Sequence, residues 1–321
     1  MINFLLIIFI LNLFLFFFER KISYFLNVYD FPDNLRKFHK TKTSVIGGFF
    51  FYFNFVITSF FNPELKINYS IIFIFSSLIF FIGFYDDKKN LNANLKFFLL
   101  SVLLIFFLYF SKEQLVIDQI TIINYQLNIF YPVNIFFTAF CILLFINAYN
   151  MFDGINLQIF FYTAIILIIF LFKNINLLLI FSILLANLFF GILNYKNRIF
   201  LGNSGTLFNS FLISILIIYF YKEGNFFVDE IFVILMLPGI DMFRLFLQRI
   251  LKKKNPFLPD RLHIHHLLVN IYGYRFTILI LQATCILPYI FYYFIGYKVI
   301  LFFIIFYIFF IIYILRKNRY S

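Results

Sequence analysis

The chain has 321 residues, 64% of them hydrophobic and 12% charged, with a formal net charge of +12. So little polar surface cannot cover a soluble globule of this size, which places the chain in a lipid bilayer. The basic excess does not point to nucleic acid. Nearly every charge falls between apolar runs, where Lys and Arg set membrane orientation and meet the anionic inner leaflet.

Apolar runs near the roughly 20 residues that cross the hydrocarbon recur at 2–18, 45–61, 69–85, 95–111, 131–147, 159–173, 175–194, 205–221, 229–250, 275–295 and 297–315. They predict an all-α integral membrane protein with about eleven transmembrane helices, a single polytopic domain over 1–321. The first run has no basic start and no small-residue cleavage site. Arg20 and Lys21 follow it, so it is expected to stay as a span with the N-terminus outside. In that orientation only Lys66, Lys112, Lys173, Lys222 and Lys298 lie outside, against 21 of 26 basic residues inside, and the C-terminus is inside.

The first inner loop reads DFPDNLRKFHKTKTSVIGG. Arg36, Lys37 and His39 supply hydrogen-bond donors there, and Gly47 and Gly48 permit close helix approach at the start of the second span. After the third span comes GFYDDKKNLNANLK, with Asp86 and Asp87 adjacent at a helix end. Two neighbouring carboxylates repel unless a cation neutralises them, and Mg²⁺ prefers one or two carboxylates plus phosphate oxygens. A solvated helix end beside Lys88 and Lys89 is the alternative. In the outer interval Gln114 to Asn128, apolar and polar residues alternate at strand spacing, which predicts a short external β-hairpin. After the fifth span, NAYNMFDGIN places Asn147, Asn150 and Asp153 three apart, nearly on one helical face. Such polar groups in a membrane helix need partners and read as a site by default.

After the seventh span, Gly202 and Gly205 flank Asn203 and Ser204 in LGNSGT, a loop whose backbone can approach a phosphate. In the ninth span, Pro238 interrupts the helical pattern, and Asp241 with Arg244 one turn later makes a candidate ion pair. The following interval carries NPFLPDRLHIHHLL, with His263, His265 and His266 close to Asp260, Arg261 and a lysine run at 252–254. Structural zinc sites want four ligands at wider spacing, and no thiolate is present, so His and Arg as phosphate donors fit better. Cys141 and Cys285 sit in separate apolar spans, where they behave as small apolar residues. No internal repeat is evident.

Taken together, these segments resemble the polyprenyl-phosphate N-acetylhexosamine-1-phosphate transferases, and the WecA branch more than the MraY branch. The likeness spans Asp30 to Leu267. Asp86 and Asp87 with Leu91 and Lys96 match the family's first acidic motif, NAYNMFDG its second, LGNSGT its Gly-rich loop and PDRLHIHHLL its histidine motif. The resemblance implies catalytic roles for Asp86, Asp87, Asp153, His263, His265 and His266. It implies substrate contacts for Arg36, Lys37, His39, Lys96, Asn147, Asn150 and Arg261, and a metal set of Asp87, Asp153 and Asn203. Four positions depart from the pattern: Ser44 replaces a proline, Leu100 a glutamine, Leu157-Gln158 a Gly-Leu pair, and Asn203 a metal-binding aspartate. Asn keeps an oxygen ligand and loses the charge.

The implied enzyme transfers a sugar 1-phosphate from a UDP-N-acetylhexosamine to undecaprenyl or another polyprenyl phosphate with Mg²⁺, or Mn²⁺ in its place, releasing UMP. Its expected place is the bacterial inner membrane, with the active site on the cytoplasmic face and a role in starting cell-surface glycan synthesis. The resemblance also implies that the chain can form a homodimer. Two competing readings are a transporter, which would carry polar residues through the midplane of several helices, and a non-catalytic relative, suggested by Asn203.

Overall fold

The computed structural model describes residues 2–31, 42–61, 69–122, 125–253 and 262–318. Among them lie eleven α-helices: α1 (Ile2–Leu26), α2 (Gly47–Phe61), α3 (Tyr69–Lys89), α4 (Ala93–Ser111), α5 (Val133–Phe152), α6 (Gln158–Phe172), α7 (Leu177–Tyr195), α8 (Gly202–Lys222), α9 (Val228–Leu251), α10 (Ile264–Ile295) and α11 (Lys298–Lys317). Seven of these, α3, α4, α5, α7, α8, α10 and α11, are long and apolar enough to cross a bilayer, and α2 and α6 are apolar but shorter. The chain is a multi-pass membrane protein. Large apolar side chains such as Phe17, Phe172, Phe276 and Phe294 are well exposed along the helices, as expected of surfaces that meet lipid rather than water.

Helix α8 forms the centre, buried along almost its whole length, with α2, α3 and α5 packed around it. The approach is close because glycines face backbone. A Cβ on Gly83 of α3 would stand 2.6 Å from the Asn203 carbonyl oxygen, and one on Gly48 of α2 would stand 2.4 Å from the Gly205 nitrogen. This backbone-to-backbone crossing sets the end of α3, with its two aspartates, against the start of α8.

Within the apolar interior, Asn12 of α1 and Asn54 of α2 exchange amide hydrogen bonds at 2.9 and 3.0 Å. Thr58 of α2 donates to Ser182 of α7 at 2.9 Å. These groups pair with one another, so they act as glue between α1, α2 and α7.

The expected hairpin is present. Strand β3 (Gln119–Ile122) pairs antiparallel with β4 (Tyr125–Asn128), Gln119 opposite Asn128. Tyr221 at the end of α8 pins it, donating to the Gln119 carbonyl at 3.0 Å and accepting from Thr121 N–H at 3.1 Å.

Two features were not anticipated from the sequence. Strands β1 (Tyr29–Asp30) and β2 (Thr43–Ser44) form a two-residue antiparallel pair, and Ser44 bridges in parallel to Ile199. Phe200 N–H donates to Ser44 O at 2.8 Å, and Gly47 and Gly48 donate to the Phe200 and Leu201 carbonyls at 3.0 Å. Ser44, expected as a departure from a family proline, thus belongs to a small platform at the foot of α8. The second feature is α10, which begins at Ile264 rather than near 275 and is broken at Gly273 (φ 72°, ψ 172°). Its first part is a separate short helical segment that carries His265 and His266.

Candidate active site

The acidic pair divides its work. Asp86 is buried and accepts from Leu91 N–H at 2.7 Å and from Lys96 Nζ at 2.9 Å. It therefore ties the end of α3 to the start of α4. Asp87 reaches the other way, with Oδ1 accepting from Asn203 N–H at 2.6 Å and Oδ2 from Ser204 N–H at 2.9 Å. A carboxylate on the first free N–H groups of α8 is favourable, since those groups lack helical partners and carry the positive end of the helix dipole.

Asn203 links three helices. Its side-chain oxygen accepts from Asn150 Nδ2 at 3.0 Å and lies 3.5 Å from Lys96 Nζ. Asn150 also donates to Thr206 Oγ1 at 2.6 Å. Asn147 contributes less, its amide donating at 2.8 Å to the Leu143 carbonyl one turn back on its own helix.

Asp153 ends α5 and is half-buried. Burial, and then the nearby charge of Asp87, push its carboxyl up to about 7. Among the described residues no donor pairs with this carboxylate.

The next residue, Gly154, lies flat against His265: a Cβ there would stand 1.8 Å from the ring Nε2. The glycine that lets the chain turn is also the seat of the histidine motif. His265 is buried, stacks on His263 (centroids 5.3 Å apart, planes at 9°) and meets His266 at 4.3 Å.

His263 is held in turn by Asp241 of α9, its Nδ1 standing 3.0 Å from Oδ2. The other oxygen, Oδ1, accepts from Arg244 at 2.7 Å and from Tyr307 OH at 2.9 Å.

One polar cluster therefore joins Lys96, Asp86, Asp87, Asn203 and Asn150, with Asp153 within reach of the charge of Asp87 and Gly154 seating the histidines. Of the residues expected from sequence, Arg36, Lys37, His39 and Arg261 lie outside the described residues. The connection from Asp241 to His263 and the participation of Tyr307 and Thr206 were missed. The Asp241–Arg244 spacing was visible as an ion pair, but nothing in the sequence tied it to the histidines or to α11.

Among the described residues no three His, Cys, Asp or Glu side chains gather closely enough to enclose a metal. The set present is an unpaired Asp153 whose carboxyl feels the charge of Asp87. Asp153, which has no donor, and Asp87, whose oxygens each accept one N–H and keep a second lone pair, fit Mg²⁺, which takes the rest of its shell from water and substrate phosphates.

Residues 69–221, from α3 through most of α8, match the family model described as glycosyl transferase family 4. The chain is also similar to the undecaprenyl-phosphate alpha-N-acetylglucosaminyl 1-phosphate transferase of Escherichia coli (strain K12), 26% identical over 282 residues that cover 82% of this chain and 75% of the relative. The protein of the same name from Thermotoga maritima is 29% identical over 258 residues, 79% of this chain and 77% of its own. The Yersinia pestis protein of that name is 25% identical over 299 residues, 83% and 76%. Over residues 69–221, which hold the acidic pair, the Asn150–Asp153 segment and Asn203, the chain is thus similar to glycosyl transferase family 4.

Proposed function

We propose that the protein transfers N-acetylhexosamine 1-phosphate from a UDP-sugar to a polyprenyl phosphate, undecaprenyl phosphate in a bacterial inner membrane, and releases UMP. The observation that carries this reading is the meeting of the acidic pair, the Asn150–Asp153 segment and the histidines, which lie far apart in the chain, on one surface. By the distribution of Lys and Arg this surface faces the cytoplasm, where nucleotide sugars are found, with the N-terminus outside and the C-terminus inside.

In the reaction, an oxygen of the lipid phosphate attacks the β-phosphorus of the UDP-sugar. A new P–O bond forms as the bond to the UMP oxygen breaks, leaving a lipid diphosphate sugar. The nucleophile has a second pKa near 6 and is mostly ionised at neutral pH, so it needs no strong base. The barrier lies in bringing two anions together. Lys96, held over the site by Asp86, supplies positive charge, and the histidines supply N–H donors for phosphate oxygens. Asp87 and Asp153 would hold Mg²⁺, which supplies Lewis-acid neutralisation of phosphate charge when bound. Asn203 Oδ1 would join them only by giving up the donors from Asn150 and Lys96. Its more direct role is to fix α5, α4 and α8 relative to one another.

The test is a screen of UDP-sugars with purified protein, undecaprenyl phosphate and Mg²⁺, read as labelled lipid. Product from at least one UDP-N-acetylhexosamine is expected; no product from any of them would sink the reading.

A further inference from the structure

The histidine segment is steered from a helix far along the chain, beyond the 69–221 family match. Asp241 is buried in α9 and receives four donors: Arg244 Nη2 at 2.7 Å, Tyr307 OH at 2.9 Å, His263 Nδ1 at 3.0 Å and Ile264 N–H at 3.4 Å. Their division between the two oxygens is informative. A pair built only to brace helices would engage the Arg fork with both carboxylate oxygens. Here Oδ1 takes Arg244 and Tyr307, while Oδ2 is left to His263 and the first N–H of its helical segment.

Arg244 adds a second hold, donating at 2.7 Å to the carbonyl of Leu262, the residue before His263. Its Nε also donates to Tyr307 OH at 3.1 Å. Asn318, just past α11, donates to the Leu267 carbonyl at 3.1 Å, and Lys317 lies 4.6 Å from the Tyr272 ring centroid. Helix α9 thus holds the start of the histidine segment, and the foot of α11 holds its middle and far end.

We propose that Asp241, held in place by Tyr307 of α11 and Arg244, is a positioning residue for His263, fixing its ring plane and keeping the proton on Nδ1. An ionised carboxylate can only accept, so Nδ1 donates and Nε2 is left to take up a proton and then donate it to a phosphate oxygen. The same carboxylate balances positive charge on the ring whenever Nε2 donates. His263 in turn stacks on His265, which rests on Gly154 beside Asp153, so a tilt of the first ring is passed to the second. The functional consequence rests on the transferase reading above, whereas the tautomer does not.

The experiment labels the full-length protein in nanodiscs with ¹⁵N-histidine and identifies His263 by the signal lost in His263→Gln. The parent is expected to show Nδ1 protonated, and Asp241→Asn to change that resonance. A parent His263 protonated on Nε2 alone would overturn the proposal. In parallel, kcat/KM for UMP release is expected to fall roughly 10–100-fold in Asp241→Asn, the range typical when an outer partner of a reactive group is removed. Tyr307→Phe keeps the ring and removes the hydroxyl that bonds both Asp241 and Arg244, for a loss of about tenfold or less. It covers the case in which Asp241→Asn does not fold. In the His263→Gln background neither change should reduce turnover further, because both act through that ring. Losses that multiply there would show Asp241 and Tyr307 to be structural braces only. A parent that releases no UMP would overturn the transferase reading alone, and the tautomer measurement would still decide the role of Asp241.

Discussion

Asp153 carries the least compensated charge in the site. Burial and the neighbouring Asp87 raise its carboxyl to about 7, and a ligand of this kind must lose its proton before it can bind a cation. Affinity for Mg²⁺ should therefore increase as pH rises to about 7 and level off above it. Below that point it should fall at least tenfold per unit, at least one proton being released per ion. Calorimetric titration of the substrate-free protein between about pH 5 and 8 checks this, and a flat profile would contradict it. Gly154 has a different constraint. Its Cβ position is already occupied by His265, so Gly154→Ala must displace the imidazole by more than an ångström. A shift of that size costs roughly a hundredfold in turnover, readable as UMP release, with lipid phosphate binding little changed.

Among the helices, the polar pairs of the interior should behave as packing glue. Asn12→Leu leaves the Asn54 amide short of a partner in an apolar setting, for a loss of about 1 kcal/mol in detergent unfolding. Replacing both by Leu should recover most of that loss, because no orphaned group remains. Additive losses would mean the pair has another role. The crossing of α3 on α8 is tighter still. Gly83→Ala would press a methyl onto backbone and should cost about 1–3 kcal/mol, with activity falling alongside because the aspartates ride on the same helix.

Elements also differ in how plainly they were written. The spans could be read because lipid demands long apolar runs, and the β3–β4 hairpin because its alternation is regular. The β1–β2 pair is two residues long, and its bridge to Ile199 joins segments more than 150 residues apart, so no local pattern records it. The early start of α10 was hidden because its first part is interrupted at Gly273 and rich in histidine, which reads as loop. Tyr307 lies in an unbroken apolar run, where a tyrosine gives no hint that its hydroxyl meets Asp241.

For the molecule as a whole, sorting Lys and Arg predicts an exposed outer hairpin and an inner C-terminus. Single cysteines placed at Tyr125 and Asn318, in a background without Cys141 and Cys285, should react with an impermeant reagent from the outside and only after lysis, respectively. The opposite pattern would invert the topology and move the polar surface away from nucleotide sugars. The Asn12, Asn54, Thr58 and Ser182 side chains, on α1, α2 and α7, bond one another in the interior.

One comparison reaches the central claim, that three distant segments make one phosphotransfer site: UMP release by the parent beside Asp87→Asn, Asp153→Asn and His265→Ala. The account predicts Mg²⁺-dependent release by the parent and a loss of roughly a hundredfold or more in each variant, with all four still folded by thermal unfolding. Undiminished release from folded protein carrying any one of these changes would contradict it.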